Sequence, residues 1–167
     1  QDLAGQGIGN SSDRERRYRQ AYLFSAVFST GVMIPMGYEY GFRRRLHVVD
    51  TRPEHWEKPA FDLTSFIADV NRMKASAPVL NEEGPQRAFT VGGGRMTCLR
   101  RRAKRGKGWA VSLLNTDWGS PVTARVDGLE GDIAKGREIT PGGKGGAFDP
   151  GADLRLDRGE VRIFAGK

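Results

Sequence analysis

The main fold signal in this sequence is the stretch Phe28-Ser-Thr-Gly-Val-Met-Ile-Pro-Met-Gly-Tyr-Glu-Tyr-Gly41. Its apolar run, Val32–Met36, stands between two glycine-marked turns, and such a run predicts a strand that is buried on both faces. Pro35 cannot donate to a ladder, so we place it at the carboxyl end of the strand. Parallel α/β folds keep their sites just beyond strands of this kind. The stretch therefore predicts a buried strand followed by a candidate site at Glu39.

A helix is predicted immediately before this strand. Its N-cap candidates are Ser11, Ser12 and Asp13, and Glu15 would complete a capping box with Ser12. The helix runs to about Ser29, and its second half is apolar nearly all round. This composition predicts burial against a sheet rather than an isolated amphipathic helix.

A second helix is predicted after a long polar loop that covers residues 42–59. Loops of this length in a compact domain are usually functional. Asp62 or Thr64 caps the helix, and Pro78 stops it. Apolar residues recur at three- and four-residue spacing and form one face: Leu63, Phe66, Ile67, Val70 and Met73.

From Leu80 onward the pattern changes to short alternating runs that are separated by glycine turns. Such runs predict an antiparallel β-sandwich, and they place the domain boundary between Pro78 and Pro85. We therefore assign residues 1–80 to a helix–strand–helix unit and residues 81–167 to an all-β domain. The predicted strands cover residues 87–91, 96–99, 109–114, 122–126, 154–156 and 161–164.

Composition sets broad limits on the class of protein. The chain has 167 residues, of which 38% are hydrophobic and 28% charged, and this balance permits a packed core. The formal net charge of +7 bears on solubility and non-specific attraction rather than on fold. The single cysteine, Cys98, is expected to be a buried apolar residue and fits a reducing compartment. No apolar run is long enough to span a membrane, and we expect a cytoplasmic protein.

The basic cluster Arg100–Lys107 is the strongest charge signal in the chain. Its six cations in eight residues could contact phosphates and make the protein a nucleic-acid binder. The favoured interpretation is a solvated hairpin tip between two strands. No aromatic residue is interleaved with the cations, as stacking on single strands would require.

The residues around the predicted strand end suggest binding rather than catalysis. Glu39 is interpreted as a sugar-contacting or structural residue, because no spacing pairs it with the carboxylates of the following loop. His47 and His55 match no metal motif, so neither a metal nor a cofactor is expected. Trp56 lies in the loop beside the predicted site and is the best sugar-stacking candidate, whereas Trp109 starts an apolar strand and is expected in the core.

These residues resemble a known family. Gly31-Val-Met-Ile-Pro-Met-Gly-Tyr-Glu-Tyr-Gly41 is similar to the last barrel strand of the α-amylase family, glycoside hydrolase family 13, with the proline one residue later than usual. The segment 61–80 looks like the final barrel helix of that family, with its Asn-x-(apolar)-Lys step and Pro-x-Leu exit. Leu113-Leu-Asn-Thr-Asp117 resembles an inner strand of the C-terminal sandwich. The loop and the Phe61-Asp-Leu-Thr64 entry favour the maltosyltransferase-like branch.

The resemblance implies the last units of a (β/α)8 barrel, namely helix seven, strand eight and helix eight, followed by the sandwich. The catalytic aspartate, glutamate and His-Asp patterns of the family do not occur in this chain, so no catalytic residue is assigned. The implied function is the C-terminal portion of a retaining α-glucan-active enzyme that is inactive by itself. The implied substrate-binding residues are Tyr38, Glu39, Tyr40 and Trp56.

Two other functions stay open from the sequence. The β region alone could form a stand-alone carbohydrate-binding or interaction module, and the basic cluster could bind nucleic acid. The expected partner is an α-glucan or maltooligosaccharide, bound through the full-length enzyme, and not a membrane. A barrel strand is normally paired on both sides. We therefore expect either self-association through Val32–Ile34 and the first helix, or loose packing of residues 1–60.

Overall fold

A computed structural model describes residues 11–44, 46–129, 133 and 136–167. These residues form two α-helices, α1 (Ser11–Phe28) and α2 (Thr64–Ser76), and three 3-10 helices, at Tyr38–Tyr40, Pro53–His55 and Pro78–Leu80. They also form eight strands: β1 (Gln86–Val91), β2 (Met96–Arg102), β3 (Trp109–Asn115), β4 (Val122–Ala124), β5 (Gly136–Glu138), β6 (Ala147–Phe148), β7 (Leu154–Leu156) and β8 (Val161–Gly166).

The strands form two antiparallel sheets. The larger has the order β1-β2-β3-β8-β5-β6, and the smaller pairs β4 with β7. The hairpin β2–β3 brings Arg102 opposite Trp109 and Met96 opposite Asn115. β8 returns along the other side of β3, so β3 is paired on both sides. The alternating runs of the sequence thus predicted an antiparallel region correctly.

The larger sheet is the middle layer of three. Trp109, Val111 and Leu113 on β3 belong to an apolar cluster that includes residues of the small sheet. Ala110, which points to the opposite face, belongs to a cluster formed with α1 and α2. Because successive side chains of a strand point to opposite faces, one central strand contributes to both cores. The helices and the β region therefore share a continuous core.

The predicted strand Val32–Met36 is not formed. This segment is irregular, and no strand among the described residues pairs with it. The prediction that both faces are buried is also wrong, because Met33 is 95% exposed, although Val32 and Ile34 pack against the helical core. A strand requires hydrogen-bond partners for its backbone N–H and C=O groups. The apolar pattern of a segment does not indicate whether a neighbouring strand is present to supply them.

The predicted capping box at the start of α1 is not formed either. Ser12 lies inside the helix, so it cannot be the N-cap. The Glu15 carboxylate instead accepts a hydrogen bond of 2.9 Å from Arg19, one turn later. The i,i+4 geometry of a helix makes this pair available wherever the helix begins.

The second helix follows the prediction closely. The Asp62 carboxylate accepts hydrogen bonds from the Thr64 N–H (2.8 Å) and the Thr64 hydroxyl (2.7 Å) at the helix start. Pro78 follows the last helical turn and begins a 3-10 helix. Leu63, Val70 and Met73 are buried, and Phe66 and Ile67 pack against the same core, so the predicted apolar face is confirmed.

The predicted burial of two further residues is confirmed. Trp109 is buried at the start of β3. Cys98 is also buried, and this burial raises the pKa of its thiol to about 12. Strands β5 and β6 were not predicted, because they consist of three and two residues within a glycine-rich sequence.

Candidate functional site

Two glycines shape the turn that carries the candidate site. Gly37 and Gly41 flank the 3-10 helix Tyr38–Tyr40 and adopt left-handed φ angles of 80° and 66°. A Cβ atom at Gly37 would overlap the Phe42 ring, and one at Gly41 would overlap the Phe61 ring. Both positions therefore require glycine for conformation and for space.

The backbone of this turn anchors the approach to α2. The Glu39 carbonyl accepts a hydrogen bond of 2.8 Å from the Leu63 N–H, and the Tyr40 carbonyl accepts one of 3.0 Å from the Ala60 N–H. The buried Leu63 thus holds the turn against the start of the second helix. These main-chain hydrogen bonds fix the position of the turn Tyr38–Tyr40 relative to α2. The long loop that connects the turn to the helix is not needed for this.

Tyr38 points into the protein. Its ring lies 4.7 Å from the Tyr18 ring and 6.2 Å from the Tyr22 ring, centroid to centroid. Its hydroxyl donates a hydrogen bond of 2.6 Å to the Tyr18 carbonyl. Burial raises the pKa of Tyr38, and the neighbouring Tyr18 and Tyr22 act in the same direction. Its side chain attaches the turn to α1.

Tyr40 and Trp56 belong to one row of rings that Phe42 connects. The Tyr40 and Phe42 centroids are 5.8 Å apart, and those of Phe42 and Trp56 are 6.4 Å apart. Trp56 is 58% exposed, and the other two rings are half-buried. All three rings offer an apolar face, and those of Tyr40 and Trp56 also carry a polar group. The sequence did not single out Phe42, although its place directly after Gly41 was the available signal.

The carboxylates of this region serve different purposes. Glu39 is half-buried, and no described residue forms a hydrogen bond with its carboxylate. Glu57 accepts hydrogen bonds from the backbone N–H groups of Arg43 and Arg44, the latter at 2.8 Å. Glu57 thereby closes the long loop beside Trp56, a role that sequence spacing did not indicate.

The two histidines have local partners within the loop. The His47 Nδ1 lies 3.1 Å from the Asp50 carboxylate. The His55 Nδ1 accepts a hydrogen bond of 3.2 Å from the Arg52 N–H. Among the described residues, no group of three or more histidine, cysteine or acidic side chains could hold a metal ion.

The basic cluster is divided between the interior and the surface. Arg101 is fully buried, and its guanidinium donates to the carbonyls of Val27 (2.9 Å) and Phe28 (3.2 Å). Lys104, Arg105 and Lys107 lie exposed in the turn between β2 and β3. Arg101 therefore cannot contact phosphate without leaving α1.

The described geometry suits binding more than bond cleavage. It offers a row of aromatic rings and the half-buried Glu39 at the edge of a rigid turn. No described helix is both long and apolar enough to cross a membrane.

Comparisons with known proteins place this geometry in context. No family model matches the chain. It is 27% identical over 164 residues to an α-1,4-glucan:maltose-1-phosphate maltosyltransferase of Burkholderia pseudomallei, an alignment that covers 90% of the chain and 13% of the relative.

Solved structures share the fold at low sequence identity. Amy13B of Eubacterium rectale matches 99% of this chain and 37% of its own, with a TM-score of 0.67 and 12% identity. AmyP in complex with maltose matches 90% of this chain and 34% of its own, with a TM-score of 0.64 and 13% identity.

The chain spans about a third of these two solved chains and 13% of the curated relative. The sequence similarity and the fold agree, and they point to one family. The chain is similar to the C-terminal part of enzymes of the α-amylase family, glycoside hydrolase family 13.

Proposed function

We propose that this chain is the C-terminal portion of a retaining, α-glucan-active hydrolase or transferase whose catalytic carboxylates lie outside the chain. Its helices are the last helices of a (β/α)8 barrel, the irregular segment Val32–Met36 takes the place of the last barrel strand, and residues 81–167 form the C-terminal sandwich. The observation that carries the proposal is the row Tyr40–Phe42–Trp56 on a glycine-framed turn in a chain of this fold.

Tyr40, Trp56 and Glu39 are the proposed sugar contacts. The exposed Trp56 ring can stack on the apolar face of a glucosyl unit, while the Tyr40 hydroxyl and the Glu39 carboxylate can hydrogen-bond to sugar hydroxyls. Tyr38 contributes by orientation, because its hydroxyl is committed to the Tyr18 carbonyl. Because AmyP was solved in complex with maltose, we take a maltooligosaccharide as the proposed class of ligand for this chain.

Titration with maltotriose tests the binding part of the proposal. We expect tryptophan fluorescence to change saturably, and Trp56→Ala to weaken binding by at least about fivefold, since the loss of one stacked ring costs roughly 1 kcal/mol. Phe28→Ala is the matched control, because Phe28 is 54% exposed and lies outside the proposed site. Equal affinities of wild type and Trp56→Ala would contradict the assignment.

The same titration distinguishes a carbohydrate-binding β module from the proposed sugar contacts Glu39, Tyr40 and Trp56. Trp118 belongs to the β region, and the Arg17 guanidinium lies 4.7 Å from its ring centroid. If Trp118→Ala abolished binding while Trp56→Ala left it intact, the ligand would be held by the β region.

An activity assay tests the assignment of the chemistry. The chain by itself should release no reducing sugar from maltooligosaccharide and transfer no glucosyl unit. Turnover by the purified chain, lost in Glu39→Gln, would show that the catalytic carboxylates are not all elsewhere.

A further inference from the structure

Arg14 is a buried cation without a counter-ion among the described residues. It lies in the first turns of α1 and is only 8% exposed. Its Nε is buried and has no hydrogen-bond partner, and no described carboxylate forms an ion pair with it. An unpaired buried charge is costly, and such groups are normally paired or hydrogen-bonded. This arginine therefore points to a ligand that is not part of the described chain.

The surroundings of Arg14 are built around Tyr18, one helical turn later. Tyr18 is buried, with its ring 4.7 Å from the Tyr38 ring and 5.3 Å from the Phe61 ring. Burial raises the pKa of Tyr18, while the nearby positive charges of Arg14 and Arg43 act in the opposite direction. Arg14 and Tyr18 stand one helical turn apart on the same face of α1, and the raised pKa keeps the Tyr18 hydroxyl protonated at neutral pH.

One acidic residue, Glu57, also lies within reach of Tyr18. Its Oε2 already accepts the backbone N–H groups of Arg43 and Arg44. The two arginines and Glu57 together carry a net charge of +1 in a partly desolvated corner. A hydrogen bond between a charged donor and an anion is strongest in such surroundings.

We propose that Arg14, the Tyr18 hydroxyl and Arg43 form a binding site for one oxyanion. In this site the Arg14 guanidinium supplies planar N–H donors, the Tyr18 hydroxyl supplies one further donor, and the exposed Arg43 supplies additional positive charge. Free inorganic phosphate and a protein carboxylate would satisfy the same donors. The site is independent of the sugar contacts proposed above, since it uses none of Glu39, Tyr40 and Trp56.

The 167-residue chain is titrated calorimetrically with sodium phosphate, and separately with sodium acetate, in a Tris-chloride buffer. We expect one saturable site for phosphate, weakened at least about tenfold by Arg14→Met, which keeps length but removes the charge. Arg16→Met is the matched control. Arg16 is two residues after Arg14, which places it about 200° around the helix axis, so this variant should bind phosphate as wild type does. If acetate binds more weakly than phosphate, the natural ligand is a free oxyanion such as phosphate. If acetate binds as tightly as phosphate or more tightly, the ligand is a protein carboxylate.

Thermal unfolding provides a second readout. In phosphate-free buffer, Arg14→Met should unfold at a higher temperature than wild type, because an uncompensated charge is removed. Phosphate should raise the unfolding temperature of wild type and of Arg16→Met, but not that of Arg14→Met. Absence of saturable binding for both anions would overturn the proposal, whatever the unfolding temperature of Arg14→Met.

Discussion

Lys74 on α2 and Arg101 on β2 both end on the last carbonyl groups of α1. The Lys74 ammonium donates to the carbonyls of Ala26 (2.8 Å) and Ser29 (2.6 Å), the latter directly after the helix. The Arg101 guanidinium donates to the two carbonyls between them, those of Val27 and Phe28. These are the carbonyls that an α-helix leaves unsatisfied, at the negative end of its dipole. Burial lowers the pKa of Lys74, and Arg101 acts in the same direction, so the carbonyls offset both desolvation and mutual repulsion.

Replacing Lys74 with methionine should destabilise the protein by about 3 kcal/mol. The substitution keeps the aliphatic stem but leaves the carbonyls of Ala26, Ser29 and Leu80 without this donor. Urea unfolding measures the change. Arg72→Met on the same helix is the control, because Arg72 is exposed and should shift stability by less than about 0.5 kcal/mol. A similar effect of both variants would argue against capping by Lys74.

The pair Glu138–Arg162 should make stability fall in acid. Arg162 holds both carboxylate oxygens of Glu138, at 3.0 and 2.9 Å. Burial acts to raise the pKa of Glu138, but these bonds and the charge of Arg162 hold it below its ordinary value of 4.5. Since the folded pKa lies below the unfolded one, the contribution is present above about pH 4.5 and is lost as pH falls through the folded pKa.

Glu138→Gln therefore should cost about 2 kcal/mol at pH 7 and flatten the loss of stability below pH 4.5. Unfolding free energies measured at a series of pH values test this expectation. Glu54→Gln is the control, because Glu54 is exposed in the loop. The expectation fails if Glu138→Gln keeps the acid dependence of wild type.

Gly41→Ala should destabilise the turn beneath the proposed sugar contacts. The left-handed φ of 66° and the overlap of a Cβ with the Phe61 ring should together cost about 2–3 kcal/mol. Gly31→Ala is the matched control, since a Cβ there meets no atom within 4 Å. Thermal unfolding and maltotriose titration of both variants test the prediction, and equal stability of the two would refute it.

Amide exchange should divide the N-terminal region into two parts. Ala26 and Val27 on α1 lie in the core, and we expect their amides to exchange slowly. The segment Val32–Met36 has no ladder partner among the described residues, so its amides should exchange quickly. Slow exchange throughout this segment at low protein concentration would contradict the expectation.

Self-association is tested through the exposed methionine of the same segment. Met33 is 95% exposed, and burial of such apolar side chains favours contact between copies. We expect the apparent mass in light scattering to rise with concentration and to fall back toward the monomer in Met33→Glu. A monomer at every concentration would remove self-association as an outcome.

Much of the fold was predictable because its signals are local. The apolar spacing of 63–73, Pro78 and the alternating β runs each depend on residues close in sequence. The strand at Val32–Met36 was predicted wrongly, because periodicity describes a segment and not its ladder partner. The basic cluster Arg100–Lys107 was predicted to be solvated, but one of its cations, Arg101, is buried beneath α1.

Local sequence patterns were enough to predict the helices, most of the strands, the burial of Trp109 and Cys98, and the resemblance to the α-amylase family. The folded chain was needed to show that Lys74 and Arg101 cap α1, that Phe42 joins Tyr40 to Trp56, and that the buried Arg14 Nε has no hydrogen-bond partner among the described residues. The physical reason is that periodicity and turn chemistry act over a few residues. Counter-ions, caps and ring contacts depend on groups that only folding brings together.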